Sequence, residues 1–266
     1  MLDKNGFAFI CQFLEQQAGI AIEADQDQFV ACRLLPVAQK HGFDSLESMI
    51  VQLQNRRERH LIQDVIESLI THETSFFRDA HYFDELTERI LPRLIARRTS
   101  ERRLSIWCAA CSTGQEAYSV AMILRERFAQ QLNDWHIELL ATDLSEISLQ
   151  QAQTGRFTEV EVRRGLSVPR LTQHFRQDGD GWQIDDRLKR MVRFEQLNLT
   201  NVWPPFSSMD LILLRNVLVY MSPATRQKIL TRMQRVLHSD GCLILGSSES
   251  SSIPDARFAT VRPSSK

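Results

Sequence analysis

The chain has 266 residues, of which 43% are hydrophobic and 24% charged, and its formal net charge is -1. This composition is typical of a folded globular protein and excludes a disordered chain, and the balanced charge gives no support to non-specific binding of nucleic acids or membranes. No apolar run approaches the roughly 20 residues that span a bilayer. The N-terminus lacks signal-peptide features, and the five cysteines have no disulfide-rich spacing. We therefore predict a soluble cytoplasmic protein.

Residues 1–70 are predicted to form a small all-α domain. Four segments repeat apolar residues at three- and four-residue steps: FAFICQFLEQQAGI, DQFVACRLLPVAQKHG, SLESMIVQLQ and ERHLIQDVIESLI. Gly19, Gly42 and the pair Asp44–Ser45 supply helix stops and caps. Residues 71–98 follow as a linker and a connecting helix that starts near His81.

Residues 99–266 are predicted to alternate strands and helices. The strands are RRLSIWCAA, HIELLATDL, MDLILLRNV and GCLILGSSE, and the helices are GQEAYSVAMILRERFAQQL, SEISLQQAQ and PATRQKILTRMQRVL. This alternation predicts the α/β class, with right-handed βαβ units and a doubly wound, mainly parallel sheet. The segment FRQDGDGWQIDD places turn residues between two short strands. It predicts a small antiparallel β-subdomain at about residues 158–190.

Three strand ends of this sheet carry polar chemistry, and ligands of open α/β sheets bind beyond the carboxyl ends of the strands. In the stretch WCAACSTGQEAYSV a turn of small residues precedes Glu116, in the first turn of the next helix. A pyrophosphate prefers a helix N-terminus without an acid, so Glu116 favours a cationic or hydroxyl-bearing ligand. Asp143 ends the second strand, where an acid commonly binds ribose hydroxyls. Arg215 and Asn216 end the strand that starts at Asp210.

These strand ends together predict a nucleoside ligand without a pyrophosphate. S-adenosylmethionine meets that description, with its ribose, adenine, sulfonium cation and amino-acid tail. Each residue also has a structural alternative: Glu116 as a helix N-terminal charge, Asp143 as an N-cap in competition with Ser145, and Asn216 as a cap of the next segment. We favour the ligand interpretation because the residues lie jointly at three strand ends.

Cys108 and Cys111 form a C-x-x-C pair. A structural zinc needs a second pair of ligands, and no matching pair follows in the sequence. We therefore predict small apolar packing at a strand end and no metal.

Six segments occur in a specific order: THETSFFRDAHYF, AACSTGQEAYS, ATDLS, LNL, LRNVLVYM and GSSES. In this order they resemble the CheR family, the S-adenosylmethionine-dependent methyltransferases of bacterial chemotaxis receptors. The resemblance covers nearly the whole chain. It implies a helical N-terminal domain, then a Rossmann-like class I methyltransferase domain with an inserted antiparallel β-subdomain. The implied reaction transfers a methyl group from S-adenosylmethionine to receptor glutamate side chains, giving γ-methyl esters and S-adenosylhomocysteine.

The resemblance also implies roles for single residues. Thr74 and Arg78 are similar to the family's linker residues that close over the cofactor, and Tyr220 resembles the aromatic hydroxyl near the transferred methyl group. Arg78 and Tyr220 are the candidate catalytic residues, which would hold the acceptor carboxylate. The implied cofactor contacts are His72, Thr74, Arg78, Glu116, Asp143, Asn198, Leu199, Arg215 and Asn216. His72 stands where many members carry Asn. After GSSES, the segment RFATVRPSSK has room for about one of the two closing strands that the resemblance implies.

The implied partner is the helical cytoplasmic bundle of a chemoreceptor. The loop RQDGDGWQ resembles the shorter, pentapeptide-independent form of the β-subdomain, so we expect no tethering to a receptor C-terminus. We also expect a monomer, no nucleic-acid partner and no direct membrane insertion. Two docking faces are candidates: the cluster Arg56, Arg57 and Arg59, and the segment 155–193, with nine Lys/Arg against six Asp/Glu. Two other functions stay open, a methyltransferase of another acceptor and a regulatory protein that binds the cofactor without catalysis.

Overall fold

The computed structural model describes residues 2–55 and 58–250. The chain divides into a helical unit, residues 1–71 with Tyr220–Lys228, and a larger unit, residues 72–219 with 229–266. Two sequence predictions fall on residues outside the described ranges. They are the docking cluster at Arg56 and Arg57, and the closing strand in the segment RFATVRPSSK. None of the helices within the described ranges combines the length and the hydropathy of a membrane span.

The helical unit contains the four predicted helices, and local signals in the sequence mark their ends. Asp3 precedes the first helix, where its carboxylate accepts the Gly6 N–H at 2.7 Å, and Gly19 ends this helix in the left-handed region. Ser45 caps the third helix through a reciprocal pair with Ser48. The helices are α1 (Lys4–Ala18), α2 (Asp27–Lys40), α3 (Leu46–Gln54) and α4 (Arg59–Leu69).

The predicted connecting helix opens the larger unit and is continuous. Its two α-helical parts, α5 (Ala80–Glu85) and α6 (Leu91–Arg97), are joined by a π-helical turn over Leu86–Ile90. Arg98 then binds two carboxylates, with Nε 2.6 Å from Asp210 Oδ1 and Nη2 2.5 Å from Asp240 Oδ1. These bonds join the end of the connecting helix to the region where two later strands begin.

The rest of the larger unit alternates strands and helices, as predicted. The described strands are β1 (Arg103–Ala109), β2 (His136–Asp143), β3 (Arg156–Thr158), β4 (Phe175–Asp178), β5 (Gly181–Ile184), β6 (Val192–Gln196), β7 (Met209–Leu214) and β8 (Leu237–Leu245). The helices are α7 (Gln115–Arg127), α8 (Glu146–Thr154), α9 (Glu159–Arg163), α10 (Val168–His174), α11 (Asp186–Lys189), α12 (Pro223–Val236) and α13 (Ser247–Ser250).

Five strands form one parallel sheet in the order β6-β2-β1-β7-β8. The central strands β1 and β7 are buried almost throughout, as expected for a parallel sheet with both faces covered. The predicted Rossmann-like architecture is confirmed. β6 was not predicted from the sequence, because its residues alternate between apolar and polar over only five positions. In the sheet it pairs only with β2.

The small sheet confirms the predicted antiparallel insertion. Its order is β3-β5-β4, and β4 and β5 form the predicted hairpin around Gly179 and Asp180. Phe157 of β3 and Phe175 of β4 pack edge-on against Phe76, with ring centroids 5.0 and 5.5 Å apart. These aromatic contacts attach the small sheet to the linker that precedes the connecting helix.

Three strands of the large sheet end at the same level. In the register of the sheet, Ala109 of β1 pairs with Thr142 of β2 and with Leu214 of β7. The chain segments that follow these strands therefore leave the sheet at one edge, as the ligand prediction requires. These segments are residues 110–114, 143–145 and 215–217.

Candidate functional site

A strained turn of small residues connects β1 to α7. Three of its residues have positive φ angles: Ala110 at 58°, Ser112 at 50° and Gly114 at 91°. For the two non-glycine residues this conformation costs about 1–2 kcal/mol each, so neighbouring groups must hold it. One such group is Asp143, whose Oδ2 accepts the Ser112 N–H at 2.7 Å. Strain that the surroundings maintain is typical of binding and active sites.

Asp143 joins the turn after β1 to the turn after β2. Besides the Ser112 bond, its Oδ1 accepts the Ser145 N–H at 2.9 Å. Ser145 is the N-cap of α8, since its Oγ accepts the Ser148 N–H at 2.9 Å, so the N-cap interpretation of Asp143 is wrong. A carboxylate can accept about four hydrogen bonds. The predicted binding of ribose hydroxyls is therefore compatible with the two backbone bonds.

Glu116 and Arg215 form a buried ion pair at this edge of the sheet. Only 2% of the Arg215 side chain is exposed, and its Nη1 lies 2.8 Å from Glu116 Oε2. Its Nη2 donates to Asp79 Oδ2 at 3.0 Å and to the Arg78 carbonyl at 2.7 Å. The guanidinium also lies over the Tyr82 ring, 4.8 Å from its centroid. Arg215 thus joins the linker, the first turn of α7 and the end of β7.

The environment of Glu116 favours a positively charged ligand. Burial raises the pKa of this carboxyl above its usual value, and the charge of Arg215 opposes the shift without cancelling it. The side chain nevertheless keeps 13% of its surface exposed. A further cation beside Glu116 would stabilise the ionised form. The site is therefore compatible with the sulfonium or amino group of the predicted nucleoside, and the contact of Glu116 with the cofactor stays a prediction.

The linker holds Arg78 between two strained residues, Phe77 with φ 49° and Asp79 with φ 58°. The Phe77 N–H donates to Ser119 Oγ of α7 at 3.0 Å, which fixes the backbone on one side of Arg78. The Arg78 side chain is half-buried, and its Nη1 donates to the Glu73 carbonyl at 2.8 Å. Arg78 therefore lies beside the buried ion pair, and its contact with a cofactor or an acceptor stays a prediction.

His72 and Thr74 begin the linker next to the strained turn. Nδ1 of His72 lies 3.0 Å from Ser148 Oγ, and the His72 carbonyl accepts the Ser112 hydroxyl at 3.0 Å. Thr74 is half-buried two residues later. The structure thus brings His72 to the turns after β1 and β2, while the cofactor contacts of both residues stay predictions.

Asn198 and Leu199 follow β6 on the other side of β2. The Leu197 N–H donates to the Asp143 carbonyl at 2.9 Å, which keeps this loop beside the end of β2. Asn198 Oδ1 accepts the N–H and the hydroxyl of Thr200 at 2.9 and 2.7 Å, and Leu199 is buried. Both residues lie at the predicted edge, beside the end of β2, and their contact with an adenine stays a prediction.

Asn216 and Tyr220 follow the ion-paired Arg215. Asn216 has a φ of 59°, and its N–H donates to Oε2 of Glu249 at 2.9 Å. Glu249 was not predicted as a site residue, and its only signal in the sequence is its place in GSSES. Tyr220 ends a 3-10 turn, is 43% exposed and belongs to the helical unit. Its approach to the methyl group stays a prediction.

The C-x-x-C pair packs inside the protein. Cys108 and Cys111 are buried, and burial raises the pKa of both thiols well above the usual value. Within the described ranges, no group of three or more His, Cys, Asp and Glu side chains is placed to hold a metal ion.

The chain is similar to known methyltransferases over most of its length. Among curated proteins, chemotaxis protein methyltransferase 1 of Pseudomonas aeruginosa is 35% identical over 247 residues, covering 91% of this chain and 89% of that protein. Chemotaxis protein methyltransferase 1 of Vibrio cholerae is 35% identical over 256 residues, covering 95% and 91%. Among solved structures, the plantazolicin methyltransferase BpumL with S-adenosylhomocysteine is 11% identical, with a TM-score of 0.35 and coverage of 86% and 66%.

Two family models together account for most of the chain. The CheR methyltransferase all-alpha domain matches residues 5–70, and the CheR methyltransferase SAM binding domain matches residues 72–264. The resemblance and the cofactor predicted from the sequence are thereby confirmed. The chain belongs to the CheR family and is an S-adenosylmethionine-dependent methyltransferase.

Proposed function

We propose that the protein methylates glutamate side chains in the cytoplasmic domains of chemoreceptors, producing γ-methyl esters and S-adenosylhomocysteine for sensory adaptation. Its family membership supports the reaction. The structural observation that carries the proposal is the meeting, at one edge of the sheet, of the strained turn after β1, Asp143, and the ion pair between Glu116 and Arg215. This edge offers carboxylates for a nucleoside and a cation, and it adjoins the linker that carries Arg78.

The cofactor would be held by residues from five segments. Asp143 would bind the ribose, Asn198 and Leu199 would flank the adenine, and Glu116 would face the positive charge. Bound in this way, S-adenosylmethionine supplies an activated methyl group on a sulfonium. Arg215 and Asn216 would complete the contacts beyond β7, and His72, Thr74 and Arg78 would contribute from the linker.

The acceptor needs alignment more than activation. A free glutamate has a pKa near about 4.3, so it is ionised at neutral pH and requires no general base. Arg78 would orient the carboxylate by charge-assisted hydrogen bonds, and the Tyr220 hydroxyl would add a further bond. Holding the acceptor in line lowers the entropic part of the barrier, whereas tighter binding of its ground state would give no acceleration.

The variant Arg78→Ala tests this assignment. We expect loss of methyl transfer by about 100-fold or more, because the acceptor is no longer aligned, with an unfolding temperature close to that of the parent protein. The measurement is methylation of a purified receptor cytoplasmic fragment, read as methanol released by base. The control is Arg89→Ala, which removes an exposed arginine paired with Glu85. Near-normal turnover of Arg78→Ala would remove Arg78 from the site.

We further propose that the protein acts in the cytoplasm as a monomer and needs no pentapeptide tether on the receptor. The short β4–β5 turn at Gly179 and Asp180 supports the last point. Two candidate docking faces remain for the receptor. In the first, Arg59 begins α4. In the second, segment 155–193, several arginines have acidic partners, as in the pair Arg156–Asp180. Titration of the protein with receptor C-terminal peptides tests the tether, and tight, sequence-specific capture would contradict the proposal.

A further inference from the structure

One buried carboxylate binds four backbone N–H groups of the two loops that follow β7 and β8. Glu249 is 3% exposed. Its Oε1 accepts the N–H groups of Val217 and Leu218 at 2.8 and 2.7 Å, and its Oε2 accepts those of Asn216 and Gly246 at 2.9 and 2.7 Å. Two donors on each oxygen match the capacity of an ionised carboxylate.

These bonds determine the backbone conformation where the chain leaves the sheet. Asn216 has a φ of 59°, a conformation that is uncommon outside glycine. The backbone bends after β7, so that the consecutive N–H groups of residues 216–218 all point at the Glu249 carboxylate. Gly246 permits the close approach, because a Cβ there would lie 2.7 Å from Glu249 Oε2 and 3.0 Å from the Asn216 nitrogen.

We propose that Glu249 is a positioning residue of the methyltransferase site, which sets Asn216 and the start of the following turn in the orientation that receives the cofactor. This inference rests on the proposed function only for the identity of the ligand. Glu249 acts through the backbone, since the bonds described for its carboxylate all go to N–H groups. A change at Glu249 should therefore alter cofactor affinity more than acceptor affinity.

The test uses the full chain and the variant Glu249→Gln, which keeps the size of the side chain. The amide retains one oxygen and turns an NH₂ group toward two of the four donors. We expect faster hydrogen exchange at residues 216–218. We also expect a kcat/KM for S-adenosylmethionine reduced about 100-fold, weaker binding of S-adenosylhomocysteine by calorimetry, and an unchanged KM for the receptor fragment.

Asp210→Asn is the matched control, because it also converts a buried carboxylate to an amide, at the start of β7 and thus at the end opposite Asn216. Its oxygens accept the Ser105 N–H at 2.8 Å and Arg98 Nε at 2.6 Å. We expect this variant to lose stability but to keep cofactor affinity when it is folded. If Glu249→Gln does not fold, Gly246→Ala displaces the same carboxylate sterically and should give the same kinetic pattern.

The outcomes separate the two proposals. If the parent protein binds S-adenosylhomocysteine and transfers methyl groups, but the Glu249→Gln and Gly246→Ala variants keep its affinity, the positioning role is wrong and the proposed function stands. Slow hydrogen exchange at residues 216–218 in Glu249→Gln would equally contradict the positioning role. A parent protein that binds no S-adenosylhomocysteine would overturn both proposals.

Discussion

Replacement of Arg215 by Met tests the importance of the buried ion pair. The variant Arg215→Met removes the guanidinium that lies 2.8 Å from Glu116 and 3.0 Å from Asp79. Breaking a buried pair and leaving its partner uncompensated costs about 3–5 kcal/mol. For a unit of this size, 1 kcal/mol shifts the unfolding temperature by about 2–4 °C. We therefore expect the unfolding temperature of the larger unit to fall by roughly 10 °C.

The assay is thermal and urea unfolding of the parent protein, Arg215→Met, Glu116→Gln and the double variant. The double variant should be more stable than the sum of the single losses predicts, by about 1 kcal/mol or more, because it no longer leaves the Glu116 carboxylate buried without Arg215. The control Arg193→Met breaks an exposed pair with Glu138 and should cost less than about 1 kcal/mol. Additive effects, or a loss for Arg215→Met as small as for Arg193→Met, would refute the reasoning.

Two further predictions concern Glu116 and the glycines of the inserted segment. The pKa of Glu116 is higher in the folded protein than in the unfolded chain, where it lies near 4.5. The ligand-free protein should therefore lose stability as the pH rises from 4.5 through the raised pKa. Urea unfolding should show this slope in the parent protein and not in Glu116→Gln. Affinity for S-adenosylhomocysteine, which carries a cationic amino group, should fall as the pH drops through the same range, and calorimetry would contradict this if affinity stayed constant. Gly165→Ala should abolish soluble expression, since at φ +103° its Cβ would lie 1.8 Å from the Phe76 carbonyl oxygen. Gly179→Ala, whose nearest atom is 3.5 Å away, should cost only about 1–2 kcal/mol, and equal expression of both variants would contradict this difference.

The long helices and the strands β1, β2, β7 and β8 of the main sheet could be predicted from the sequence because apolar periodicity is a local property, whereas the short helices α9, α10, α11 and α13 were not predicted. The turn after β1 and the acid at the end of β2 could be assigned to a ligand site because parallel strands end at one edge. β6 was missed because Val192–Gln196 is short and alternates in polarity, unlike the buried inner strands. This alternation follows from the position of β6 at the edge of the sheet, which only the structure shows.

Pairings between distant residues were beyond the sequence. Both Arg215 and Glu116 were assigned to the cofactor, yet they bind each other although they are 99 positions apart in the chain. No local sequence pattern predicts such a pair. Glu249 was visible only as one letter of GSSES, because its role depends on two loops meeting at the end of neighbouring strands. Asp143 was assigned to ribose, and its bonds to Ser112 and Ser145 emerged only from the fold.

Calorimetric titration of the purified full chain with S-adenosylhomocysteine tests most directly whether this edge of the sheet is the cofactor site. We predict one binding site per chain, with affinity strongly reduced in Asp143→Ala and unaffected in Arg193→Met. Absence of binding by the folded parent protein, or equal affinity of Asp143→Ala and the parent, would contradict the assignment.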